Sequence, residues 1–72
     1  MNATREQIME IVSLAHQVFD FDDWKVIVLR EKLIVFPSAR PEQKLMYDSI
    51  QDCIDDLRFR RLVRYTPFKG FV

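Results

Sequence analysis

Apolar and polar residues follow two different periods along this chain, and the changes of period divide it into elements. Ile8, Ile11, Val12, Ala15, Val18 and Phe19 recur at spacings of three and four, the signature of one helix face. Met9 and Leu14 widen the stripe. Thr4-Arg5-Glu6-Gln7 precedes it and fits a capping box, in which a threonine hydroxyl and a side-chain amide three residues on satisfy backbone donors reciprocally. A first helix is predicted here. It ends at Asp20-Phe21-Asp22-Asp23, because acids are disfavoured at the negative end of the helix dipole.

From Trp24 to Phe36 the chain is rich in β-branched and aromatic residues, interrupted by the polar Arg30-Glu31-Lys32. This predicts a β-hairpin, although the turn lacks the glycine or asparagine that two-residue turns prefer. Pro37 offers no ladder N–H and closes the second strand. Pro41 suits a first helical turn, and Met46, Tyr47, Ile50, Cys53, Ile54 and Leu57 mark the buried stripe of a second helix. From Arg61 to Thr66 the alternation returns, with Val63 and Tyr65 on one side and Leu62 and Arg64 on the other, which reads as a third strand closed by Pro67. An aromatic tail, residues 68–72, completes the chain.

The predicted fold is therefore α+β in the order α-β-β-α-β, a three-stranded, mainly antiparallel sheet with two amphipathic helices. Both faces of its hairpin are apolar. Lys25, Ile27 and Leu29 point one way and Trp24, Val26 and Val28 the other. A sheet with one face in water should read apolar-in, polar-out, so either the two helices sandwich this sheet or its second face packs on another chain; three strands are too few to shelter well between two helices. A homodimer is expected, resting on Trp24, Val26 and Val28 with Phe68 and Phe71 of the tail.

Size sharpens that expectation. A chain of 72 residues makes a single domain, residues 1–72, and one this short buries only about 60% of the surface its unfolded form exposes. Small domains usually need a disulfide, a metal or a second subunit. One cysteine, Cys53, and one histidine, His16, can complete neither a disulfide nor a Cys/His zinc site within one chain. A lone cysteine suits a reducing compartment. The N-terminal residues lack a basic-then-apolar signal pattern, and no apolar run approaches the roughly 20 residues of a membrane span. The expected location is the cytoplasm, with no membrane partner.

Formal charge is zero but unevenly placed. Residues 58–72 carry Arg58, Arg60, Arg61, Arg64 and Lys69 and no acid, while residues 1–57 carry the other 6 basic groups and all 11 acids. Asp48, Asp52, Asp55 and Asp56 fall along one side of the second predicted helix. They read either as a solvated face relieved by Lys44 and Arg60 four residues away, or as an acidic stripe that meets a basic partner. Arg58, Arg60, Arg61 and Arg64, interleaved with Phe59, Leu62 and Tyr65, suit three roles. They can serve the helix dipole, bind a protein, or hold single-stranded nucleic acid through phosphate contacts and stacking. Neutral total charge weighs against the last.

Chemistry is sparse. A nucleophilic triad would need His16 beside Cys53, whose spacing places it on a buried helix side. Asp20, Asp22 and Asp23 lack the glycine and the later glutamate of a calcium loop. With Gly70 as the only glycine, no glycine-rich phosphate loop can form. No catalytic residue, metal ligand or cofactor is expected. The expectation is a small non-catalytic interaction protein, a homodimeric regulator or inhibitor of a larger protein. Its size and lack of motifs resemble those of small regulators made by phages and mobile elements. Nucleic-acid binding through the arginine cluster is the alternative.

Overall fold

The computed structural model describes residues 1–65. It contains helix α1 (Arg5–Val18), strands β1 (Trp24–Val28) and β2 (Leu33–Pro37), a 3-10 turn (Pro41–Gln43), strand β3 (Leu45–Tyr47) and helix α2 (Ile50–Tyr65). The fold is α+β, and the sheet is antiparallel throughout in the order β1-β2-β3.

Helix α1 forms as its spacing requires. The Gln7 amide donates to Thr4 Oγ1 at 3.1 Å and the Thr4 amide to Gln7 Oε1 at 2.9 Å, which completes the capping box. The helix ends at Phe19, whose extended backbone leaves its N–H on the Ala15 carbonyl at 2.9 Å. The β1–β2 connection spans Leu29 to Lys32, closed by the Leu29 amide on the Lys32 carbonyl at 2.8 Å. No described residue has a positive φ, so this longer connection does without the glycine a tighter turn would demand.

Element order departs from expectation in the second half. The third strand is Leu45–Tyr47, not Arg61–Thr66, and the order is α-β-β-β-α. Pro41 opens only a short 3-10 turn. Met46 pairs with Ile34 instead of joining a helix stripe. The start of α2 is set by Ser49, whose Oγ accepts the Asp52 amide at 3.0 Å, the bond an N-cap makes to the third helical residue.

Residues 61–65 continue α2, held by contacts of Arg61, Arg64 and Tyr65 with α1, and they read as a strand because α2 changes character halfway along. In its first half Ile50, Cys53, Ile54 and Leu57 are buried. The same side then continues, three and four residues on, as Arg58, Arg61, Arg64 and Tyr65. The opposite side runs from Asp52, Asp55 and Asp56 to Phe59, Leu62 and Val63. This switch of sides breaks the 3.6-residue periodicity and mimics the alternation of a strand.

Both helices cover one face of the sheet. Ile11, Leu14 and Ala15 of α1, Trp24, Leu33 and Val35 of the strands, and the four buried residues of α2 make one core. Trp24 is 6% exposed, held between Phe19 and Phe21 at ring distances of 5.3 and 6.1 Å, with its indole N–H on the Phe21 carbonyl at 2.9 Å. Val26 and Val28 pack against the same core. The expected dimer face is thus the inner face of the sheet. The outer face is the one left open. Phe68 and Phe71 lie outside the described residues.

Candidate functional site

The four arginines of the expected basic cluster are exposed, and each meets a partner on α1, beside its end, or on α2 itself. Arg58 donates to Glu10 of α1. Arg60 Nε donates to Asp56 Oδ2 at 2.9 Å, and its guanidinium lies 5.6 Å from the centre of the Phe19 ring. Arg61 reaches Gln17 Oε1 at 3.5 Å. Arg64 donates both to the Val18 carbonyl and, at 2.8 Å, to Asp20 Oδ1. Tyr65 adds a bond from its hydroxyl to the Gln17 carbonyl at 2.8 Å. Arg64 and Tyr65 therefore satisfy last-turn carbonyls of α1, where a cation is favoured. Asp20, read from sequence as one of the acids that end the first helix, is part of this clasp.

The expected acidic stripe divides. Asp56 is half-buried and committed to Arg60 and to the Tyr47 hydroxyl, which donates to it at 2.6 Å. Burial, and then this bond, push the Tyr47 pKa above its ordinary value. Asp55 accepts from Gln51 Nε2 at 2.8 Å on the helix surface. Asp48 precedes the helix, in the bend after β3. Exposed Asp52 and Asp55 remain together on the outer side of α2, and this side leads directly into Phe59, Leu62 and Val63. Those three are 60 to 63% exposed. Sequence reasoning missed them as a surface, because Leu62 and Val63 had been set on opposite faces of an expected strand and Phe59 had been placed before it, among the arginines.

A second apolar surface lies on the outer face of the sheet. Ile27, Ile34 and Met46 pair across β1, β2 and β3 as one row; Ile27 is 42% and Met46 49% exposed. Phe36 and Lys25 pair beside this row, and Leu29 lies beyond it. Lys44 and Asp48, both exposed, flank the two ends of β3.

The nucleophile candidates do not assemble. Cys53 is fully buried, and burial, with Asp56 nearby, pushes its thiol up to about 12; the thiolate that attacks and ligates is suppressed. Exposed His16 instead lines a shallow hollow of about 370 Å³ with Ser13, Asp22, Ile8, Met9 and Val12. Serine, histidine and aspartate share that hollow, but Ser13 Oγ accepts from Gln17 Nε2 at 3.2 Å. No hydrogen bond links it to His16, as a triad requires. A second hollow, about 470 Å³, is lined by Arg58, Arg61, Leu62 and Tyr65. Among the described residues no group of three His, Cys, Asp or Glu is placed to hold a metal ion, and no helix is long and apolar enough to cross a membrane.

The chain matches no known protein family, no curated protein and no solved structure, so the surfaces of the molecule itself carry the functional argument.

Proposed function

We propose that this protein is a non-catalytic interaction module that docks on a larger protein through the outer side of α2. The observation that carries the reading is the exposure of Phe59, Leu62 and Val63 on the side of α2 turned away from the core, continuous with Asp52 and Asp55. Large apolar side chains grouped on one helix side, with charge beyond them, have the form of a helix that anchors in a partner groove. The fitting partner offers an apolar groove for Phe59 and its neighbours and a lysine or arginine about one helical turn further on, opposite Asp52 and Asp55. Such a protein acts by occupying its target, as a regulator or inhibitor does.

The arginine clasp supports this reading over nucleic-acid binding. Guanidinium groups paired with Glu10, Asp56, Asp20 and the end of α1 have part of their charge offset within the fold and offer phosphate a weaker positive field.

Affinity capture from extracts of the native host tests the proposal, using the wild type beside Phe59→Asp and the pair Asp52→Lys/Asp55→Lys. A protein retained by the wild type, lost with both variants and rebound when purified supports it. Equal capture by all three chains refutes the assignment to α2. Binding of single-stranded DNA or RNA that weakens steeply with salt would instead favour the nucleic-acid reading.

A further inference from the structure

We infer that the outer face of the sheet is covered by the same face of a second copy, with the strands of the two copies antiparallel across the interface. This goes beyond the docking of a partner and uses a different surface. The central row, Ile27, Ile34 and Met46, is uncharged and runs straight across all three strands. A two-fold axis along that row lays each of the three residues on its own counterpart, the self-complementarity that an isologous interface needs. Sheets stacked this way interdigitate at a spacing of about 10 Å.

Charge selects the orientation. Lys44 and Asp48 flank the opposite ends of β3 and both are exposed. With the strands antiparallel, Lys44 of each copy meets Asp48 of the other, and Lys25 lies over the apolar Leu29 corner of the second copy. The alternative two-fold, along the strands, sets Lys25 against Lys44, cation on cation, and gains no ion pair. Three short strands cover less than the roughly 800 Å² per partner of a standard interface, so the dimer is weak and concentration-dependent.

Sedimentation equilibrium from micromolar to millimolar protein tests this. The wild type moves from 8.7 kDa toward twice that mass. Met46→Lys, a change at a half-exposed position, stays monomeric across the range. Lys44→Asp and Asp48→Lys, each placing like charges opposite one another, weaken association at least about fivefold. The double variant Lys44→Asp/Asp48→Lys recovers it. Phe59→Ser leaves it unchanged, and urea midpoints confirm that each variant is folded. A wild type that remains 8.7 kDa at millimolar concentration overturns the inference. So do a double variant that fails to recover and a Phe59→Ser variant that abolishes association while Met46→Lys does not.

Discussion

The Tyr47 hydroxyl donates to Asp56 Oδ2 at 2.6 Å, and this bond ties the edge strand β3 to the middle of α2. Asp56 also holds Arg60 at 2.9 Å, so a residue expected in a buried helix stripe, one from the expected acidic stripe and one from the expected basic cluster form one polar cluster. A hydrogen bond to a charged, half-buried group contributes about 1.5–3 kcal/mol. Tyr47→Phe keeps the ring and deletes only the donor. It should lower stability by about 1–2 kcal/mol in urea denaturation. A loss below about 0.5 kcal/mol would show that water replaces the bond without cost.

Two residues of α2, two positions apart, should respond in opposite ways to truncation. Leu57 is fully buried in the core, whereas Phe59 is 63% exposed on the far side. Leu57→Ala removes buried methyl groups and leaves a cavity, which costs about 2–5 kcal/mol. In a domain this small that approaches the whole stability. Phe59→Ser should shift stability by no more than about 0.5 kcal/mol, as exposed substitutions do. Thermal melts of the two variants decide the point. A large loss with Phe59→Ser would mean that the ring is covered in solution by something that also stabilises the fold.

The contrast between those two residues also marks where the sequence stops being readable. Helix α1 was legible because its cap and its stripe agree, and local signals that agree with the global fold mark an element plainly. The β1–β2 hairpin was legible from composition. Strand β3 has three residues, too few to display alternation, and exists because Ile34 and its neighbours supply a ladder. Helix α2 carries an apolar stripe that leaves the core side after Leu57 and reappears opposite at Phe59. A periodicity argument assumes one buried side per element, and fails where an element passes from core to surface. The two apolar sheet faces were evident, but which one the helices cover depends on the handing of the whole fold; Trp24 went inward.

Helix α2 extends two turns past its last buried residue, and the contacts of Arg61, Arg64 and Tyr65 with α1 hold that extension. The hydrogen bond to Asp20 raises the Arg64 pKa, in keeping with a guanidinium that is charged in any protein. Arg64→Ala should leave the core intact and speed amide exchange in residues 61–65 and in the last turn of α1. Raising salt should move the wild type in the same direction through the exposed Arg64–Asp20 and Arg58–Glu10 pairs. Exchange that speeds only in α2 would show that the clasp does not order the end of α1.

Alkaline pH should unfold this protein through Cys53. The thiol ionises near 9.0 in the unfolded chain and is held to about 12 in the fold by burial, then by Asp56. Between those values the unfolded chain binds fewer protons than the native one, so unfolding becomes more favourable as pH rises. The contribution is complete below about pH 9 and is lost above it, at up to about 1.4 kcal/mol per pH unit. Tyr47, also raised by burial and its bond to Asp56, acts in the same direction from its ordinary value of 10.0 upward. Urea midpoints should be flat from about pH 7 to 8.5 and fall steadily by about pH 10.5. Cys53→Ala should begin less stable, because a buried side chain is shortened, yet hold a flat midpoint until the tyrosine titrates. A variant that keeps the wild-type slope between about pH 9 and 10 would remove Cys53 as the cause, and with it the case that this thiol is locked in the core in its protonated form.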